Sequence, residues 1–294
     1  MEKKILITSV NKYHKKNFKY LDYGSLNIGN DSSSDDILFN HPWSNFDYYL
    51  KDIKKIEKIY IIILKKVSSK LNKHFKIKKN LRYWKILIGP WLMSFISAYY
   101  EKDLLINTLL KYKGKLIIPI VNLREKNKIS KDYKEFFNEK LLSTDWQDYL
   151  FSQILKKKKI KSNIIFVKKK IIFKKKLQNK KNNFSVTLKK NLILSFNKIL
   201  SYFVENQKII FFDNTFSLKN KINLLLKNFC FFKSSDLNYK NKDPNFLLRN
   251  LLGKSNTNNV FYKEILKETI LNIPTCFLED FCTIKENILK KKKK

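Results

Sequence analysis

Only five glycines occur in 294 residues, and that scarcity rules out most folds whose site is a glycine-rich loop. Gly24-Ser-Leu-Asn-Ile-Gly29 has the glycine spacing of a phosphate loop. Asn30-Asp31, however, stands where a Lys-Ser/Thr pair would hold phosphate and magnesium. No G-x-G-x-x-G occurs, which excludes a dinucleotide fingerprint, and no G-x-S-x-G elbow supplies a hydrolase nucleophile. His14, His41 and His74 are scattered, and Cys276 and Cys282 are too far apart for a C-x-x-C knuckle, so no metal site is expected. Glu279-Asp280 reads as two acids in the first turns of a helix, favoured there by its dipole.

Charge is the second constraint. Lys+Arg number 62 against 25 Asp+Glu, a formal net charge of +37, yet 44% of the residues are hydrophobic. That apolar content can bury a core, so a disordered polyelectrolyte is excluded. Only Arg82, Arg124 and Arg249 are arginine. A chain selected to grip phosphates spends arginine on the task, because its planar fork binds bidentately. Lysine with almost no arginine, beside abundant Asn, Ile and Phe, is what A/T-rich codon usage produces. The excess still attracts anionic surfaces non-specifically.

Lys156 to Lys181 is the densest basic segment, with Phe166 and Phe173 interleaved. Single-stranded nucleic acid would suit it, but it reads more simply as short strands or a solvated loop. The glycine-bearing signature of an RNA-recognition sheet is absent. The longest uncharged apolar run, Ile86 to Tyr100, is short for a membrane span and contains Gly89 and Pro90. No signal peptide is read at the N-terminus, and three cysteines, an odd number, point to a reducing compartment. A cytoplasmic protein with no transmembrane segment is expected, with peripheral contact at the inner face of the membrane allowed.

Residues 4–10 are β-prone and read as an opening strand. Ile53, Ile56, Tyr60, Ile63, Val67 and Leu71 recur at three- and four-residue steps, which predicts an amphipathic helix. A second helix is predicted after Pro90, with the proline in its first turn. Pro119 makes Lys115–Val121 an edge strand or loop. Tyr133–Leu155 reads as helix broken near Ser143-Thr144, either of which could cap the helix starting at Asp145. Helices are also predicted at 184–204, 218–229 and 261–272, a strand at 208–213, and a last helix from about Pro274.

Three segments hold all four tryptophans: His41-Pro42-Trp43, Arg82 to Leu92, and Thr144 to Leu150. Arg82-Tyr83-Trp84-Lys85-Ile86-Leu87-Ile88-Gly89-Pro90-Trp91-Leu92 resembles an Arg-Tyr-Trp-x-Ile-Leu-Ile-Gly-Pro-Trp-Leu segment. That segment belongs to a family of transferases from bacterial surface-polysaccharide (O-antigen-type, lipopolysaccharide) gene clusters. Asp145-Trp146-Gln147 is similar to its Asp-Trp-Asn segment. Ile273-Pro274 with Leu278-Glu279-Asp280-Phe281 is similar to its Leu-Pro and Leu-Glu-x-Phe/Tyr run. His41-Pro42-Trp43 is followed by Ser44-Asn45-Phe46 and lacks the acids and arginine the family carries there.

Strand signals at both ends with helices between argue for an α/β fold, and the resemblance implies a Rossmann-like N-terminal domain rich in helices, one half of a two-domain (GT-B-like) glycosyltransferase. It would span residues 1–289, with a helical middle at 47–155 and a poly-lysine tail at 290–294. The family's Gln-His-Gly-Gly segment is absent from the sequence, so a truncated or split product, inactive alone and pairing with a separately encoded C-terminal half, is expected. The implied function is sugar transfer, with this half on the acceptor side. No cofactor is expected in this chain, and a nucleotide-sugar donor is implied for the complete family member. The acceptor would be a sugar or lipid-linked saccharide.

Candidate substrate-binding residues are Arg82, Tyr83, Trp84, Trp91, Trp43, Asp145 and Trp146. Arginine suits a phosphate or carboxylate, and aromatic faces suit the C–H side of a sugar ring. His41 is the candidate general base, its imidazole titrating near neutrality. Each has a plainer reading: the tryptophans as core, His41 as a capping loop histidine, Asp145 as a first-turn helix acid. The alternatives in other classes are a basic nucleic-acid-binding or ribosome-associated protein, and a partner-binding module.

Overall fold

The structure, a computed structural model, describes residues 41–111, 123, 128–158, 241–255 and 257–292, with strand segments at 4–7, 18–21, 37–39, 116–121, 164–169, 210–212 and 231–233. The chain divides into two compact units, Met1–Ile172 with Lys240–Lys294, and Phe173–Tyr239. The Gly24–Gly29 loop, the helices expected at 184–204 and 218–229, and most of the Lys156–Lys181 segment lie outside the described residues.

Two long helices frame the first unit: α1, Phe46–Phe75, and α2, Leu81–Leu109. Asn45 caps α1 by accepting from the Asp47 and Tyr48 amides, and Asn80 caps α2 by accepting from Tyr83. The apolar spacing turns one stripe of α1 inward, so that Ile56, Tyr60, Ile63, Val67 and Leu71 are all buried. Burying each such side chain stabilises by roughly 1.5–3 kcal/mol.

Three contacts set the register between the helices. Tyr100 donates to Asp52 at 2.9 Å, Tyr60 abuts Gly89, and Trp84 Nε1 donates to Asn72 at 3.0 Å. Positions rising along α1 meet positions falling along α2, so the pair is antiparallel. The turn between them is closed by Lys76 in the left-handed region (φ 52°), whose N–H reaches the Asn72 and Lys73 carbonyls.

Pro90 corrects the expected helix start. It lies inside α2, not in its first turn. The proline removes the hydrogen bond to the Ile86 carbonyl, a cost of about 3 kcal/mol in a helix interior. Ile86 is 71% exposed, so water can serve that carbonyl. Trp84, Ile88, Trp91 and Phe95 are fully buried on both sides of the proline and hold the helix continuous.

The remaining helices pack on this frame. Short α3, Tyr133–Glu135, runs into a π-helical turn at Phe136–Leu141, and α4 spans Thr144–Leu155 with Ser143 as its cap. Phe136 and Trp146 meet Trp91 and Phe95 of α2 edge-on or tilted. Helices α5 (Phe246–Gly253) and α6 (Val260–Asn272) pack together, and Phe261 meets Tyr99. Helix α7, Phe281–Lys292, places Phe281 on Phe75 with ring centroids 4.4 Å apart. Arg249, fully buried, forks onto Glu279 at 2.6 and 2.7 Å and donates to the last carbonyls of α6. Glu279 therefore anchors an arginine and does not serve a helix dipole.

The strands are three to six residues long. In the first unit they form a parallel sheet of order β3-β2-β1-β4-β5, with β1 Lys4–Ile7, β2 Phe18–Leu21, β3 Ile37–Phe39, β4 Leu116–Val121 and β5 Ile164–Lys169. In the second unit β6 (Ile210–Phe212) pairs in parallel with β7 (Phe231–Lys233). Strand β4 is internal, not an edge. Pro119 is accommodated because pairing with β1 involves only Leu116 and Ile117, while Pro119 pairs with Val167 of β5.

The expected α/β, Rossmann-like class, and with it one half of a GT-B-like enzyme, is corrected by these features. Outside the strand segments, the described residues are 77% helical. Among the described buried hydrophobics, Ile118 alone comes from a strand. The apolar bulk sits in helices at helical spacing, so helix-on-helix packing, not a sheet between helix layers, builds the core.

Gly89 yields a prediction whose sign separates two effects. Helix propensity alone makes Gly89→Ala stabilising by about 1 kcal/mol. A Cβ there would lie 2.7 Å from the Tyr60 hydroxyl, so a net loss of about 1–3 kcal/mol is expected, largely relieved in a Tyr60→Phe background. Urea unfolding of the four variants checks it, and a stabilised Gly89→Ala would contradict the close approach. Lys76→Gly should stabilise by about 1 kcal/mol by removing the left-handed penalty.

Candidate functional site

The segment entering α1 folds tightly because its side chains serve its own backbone. His41 caps a single 3-10 turn, Pro42–Ser44, its Nδ1 accepting from the Trp43 amide at 3.0 Å. That contact leaves the imidazole proton on Nε2, which faces Glu101 Oε1 at 3.3 Å. His41 is 5% exposed. A general base needs a free lone pair near the surface, and both ring nitrogens are engaged here. In this geometry His41 serves the protein's own groups, as its plainer reading as a capping loop histidine has it.

A polar network continues from it. Trp43 Nε1 donates to Asp52 Oδ2 at 3.1 Å, and Asp52 Oδ1 receives Tyr100 and Lys55, each at 2.9 Å. Glu101 Oε2 pairs with Lys102 at 3.1 Å, and Lys102 is almost wholly buried, within reach of the Asp148 charge. Further pairs, Lys158 to Asp103 and Lys157 to Glu268, both 2.6 Å, join the turn after α4 to α2 and α6.

Burial pushes the Asp52 carboxyl up, but hydrogen bonds from Lys55, Trp43 and Tyr100 outweigh it and hold the group below its ordinary 3.8. Glu101 behaves alike: burial raises it, and the His41 hydrogen bond with the Lys102 charge brings it below 4.5. Burial lowers Lys102, while Glu101 and Asp148 oppose that shift. Tyr100 is raised by burial and by its bond to Asp52, so its proton stays on the phenol.

The other expected site residues separate into two groups. Trp84 and Trp91 are fully buried and Trp146 is 2% exposed, so none can stack on a sugar ring; they are core, and their expected substrate role is corrected on that ground. Asp145 sits in the first turn of α4, partly exposed, as a helix-start acid. Arg82 is exposed and Tyr83 half-buried in the first turn of α2, with Lys79 Nζ 5.3 Å from the Tyr83 ring centre. Trp43 is half-buried and shares the network with His41.

Asp52, Tyr100, Glu101, Lys102 and Asp148 were not singled out from the sequence. Asp52 did carry a signal, as a carboxylate one helical turn before Ile56 on an otherwise apolar stripe. Among the described residues no group of His, Cys, Asp or Glu could hold a metal ion, and no helix is long and apolar enough to cross a membrane.

Residues 27–294 match the family described as LIC12162 family transferase, and the chain belongs to it. No curated protein and no solved structure matches the chain.

The network sets a pH dependence. A carboxylate depressed in the folded state adds stability above its unfolded pKa and loses it as pH falls through the folded value. Asp52→Asn should therefore be less stable than the natural protein by about 1–3 kcal/mol at neutral pH. The gap should close on acidification below 3.8. Urea unfolding across an acid pH series measures it, and a gap that widens on acidification would contradict the ion-pair account.

Proposed function

We propose that this transferase moves a sugar from a nucleotide-sugar donor to a sugar or lipid-linked saccharide acceptor in bacterial surface-polysaccharide (O-antigen-type) synthesis. It acts in the cytoplasm or at the inner face of the membrane. The observation that carries the reading is family membership over residues 27–294, joined to the Arg82–Leu92 segment. Arg82, exposed, and Tyr83, half-buried, lie side by side at the start of that segment, beyond its buried tryptophans. Arginine would bind an anionic group of the substrate and tyrosine would lie along a sugar ring.

The test is release of nucleoside phosphate from a panel of UDP-, GDP- and dTDP-sugars in the presence of lipid-linked saccharide. Turnover with one donor is expected. Arg82→Ala, an exposed change that leaves the fold intact, should reduce it about tenfold or more through loss of one charge-assisted contact. Transfer of a non-sugar group with no nucleotide-sugar consumed would overturn the sugar reading and leave the transferase class standing.

A further inference from the structure

From Lys58 to Tyr100 the sequence contains no acidic residue. Helix α1 crosses this stretch and meets the loop after α5, where Lys70 Nζ donates to the Lys254 carbonyl at 2.7 Å. A cleft of about 680 Å³ opens between them. Lys65, Lys66, Lys70 and Lys254 line it, Ser255 and Thr257 add hydroxyls, and no carboxylate is among the described lining residues.

Composition alone would scatter lysines over the surface, and some described lysines find acids: Lys55 with Asp52, Lys102 with Glu101, Lys157 with Glu268, Lys158 with Asp103. The four cleft lysines form no ion pair among the described residues. Burial, then repulsion from Lys66 and Lys73, lowers the pKa of Lys70. Like charges converging on one concavity repel, and a multivalent anion seated there would offset the repulsion.

We infer that this cleft binds an oligophosphate group, of the kind carried by a nucleoside diphosphate or a lipid diphosphate. Ammonium groups act as point charges toward phosphate oxygens, and the hydroxyls donate to the same atoms. The inference does not depend on the sugar reading, since it requires only the phosphates.

Titration calorimetry of the full chain with inorganic pyrophosphate tests it. Saturable binding is expected, weakened about tenfold or more in Lys66→Gln/Lys70→Gln. Lys254→Gln, exposed and outside any helix, should weaken it in the same direction without risk to the fold. Lys54→Gln/Lys58→Gln removes the same charge from exposed positions of α1 and should change affinity by no more than about twofold. Absence of saturable binding, or equal weakening in both double variants, overturns the inference as a general field effect. Displacement of pyrophosphate by UDP, or by phosphatidylcholine vesicles carrying a polyprenyl diphosphate, names the source of the group. Failure of both to compete, or binding only of single-stranded RNA with a steep salt slope unaffected by the cleft variants, also overturns it.

Discussion

Asp52, Tyr60 and Asn72 of α1 meet Tyr100, Gly89 and Trp84 of α2, and this ladder of contacts fixes how the two longest helices lie. The middle contact is steric and the outer two are hydrogen bonds, so sliding or rotating one helix breaks all three together. With the register set, α2 presents Trp84, Trp91, Phe95 and Tyr99 in sequence along its length. Phe281 of α7 meets the first, Phe136 and Trp146 meet the middle two, and Phe261 of α6 meets the last. The hydrophobic core is thus an aromatic seam dictated by one helix pair.

Charge is handled in two ways on this frame. Buried ionised groups are costly unless paired and hydrogen-bonded, and the interior ones are: Asp52 has three donors, Glu101 lies between His41 and Lys102, and Arg249 is fixed by Glu279 and the carbonyls of α6. On α1 beyond Lys58 no acids are available, and three of the four lysines there, Lys65, Lys66 and Lys70, line the cleft beside Lys254. The same chain therefore contains a neutralised interior and a concavity whose described lining carries four lysines.

Much of the helical body was legible in the residues. The stripe from Ile53 to Leu71, the break at Ser143 and the end of α6 before Pro274 are local signals, and local signals survive folding. Pro90 misled because its preference for a first turn is a weak prior, overridden by the Asn80 cap and by four fully buried side chains around it. Short apolar runs such as Lys115–Val121 suggested a sheet-centred domain. Their strands exist, but among the described buried hydrophobics Ile118 alone comes from one. The tryptophans were conspicuous for rarity, and rarity alone does not distinguish a packed indole from one that stacks on a ligand. The pairing of Arg249 with Glu279, and of His41 with Glu101, joins residues far apart in the chain, and no periodicity or spacing encodes such pairs.

Amide hydrogen exchange tests the central role of the α1–α2 pair most directly, because protection reports the free energy of opening each element. The account predicts that peptides covering Ile59–Leu71 and Ile88–Ile106 exchange most slowly in the chain and open together, with α5 and α7 exchanging well before them. If α1 exchanges at the rate of a frayed surface helix while another element holds the slowest amides, the pair is not the frame on which the rest is built.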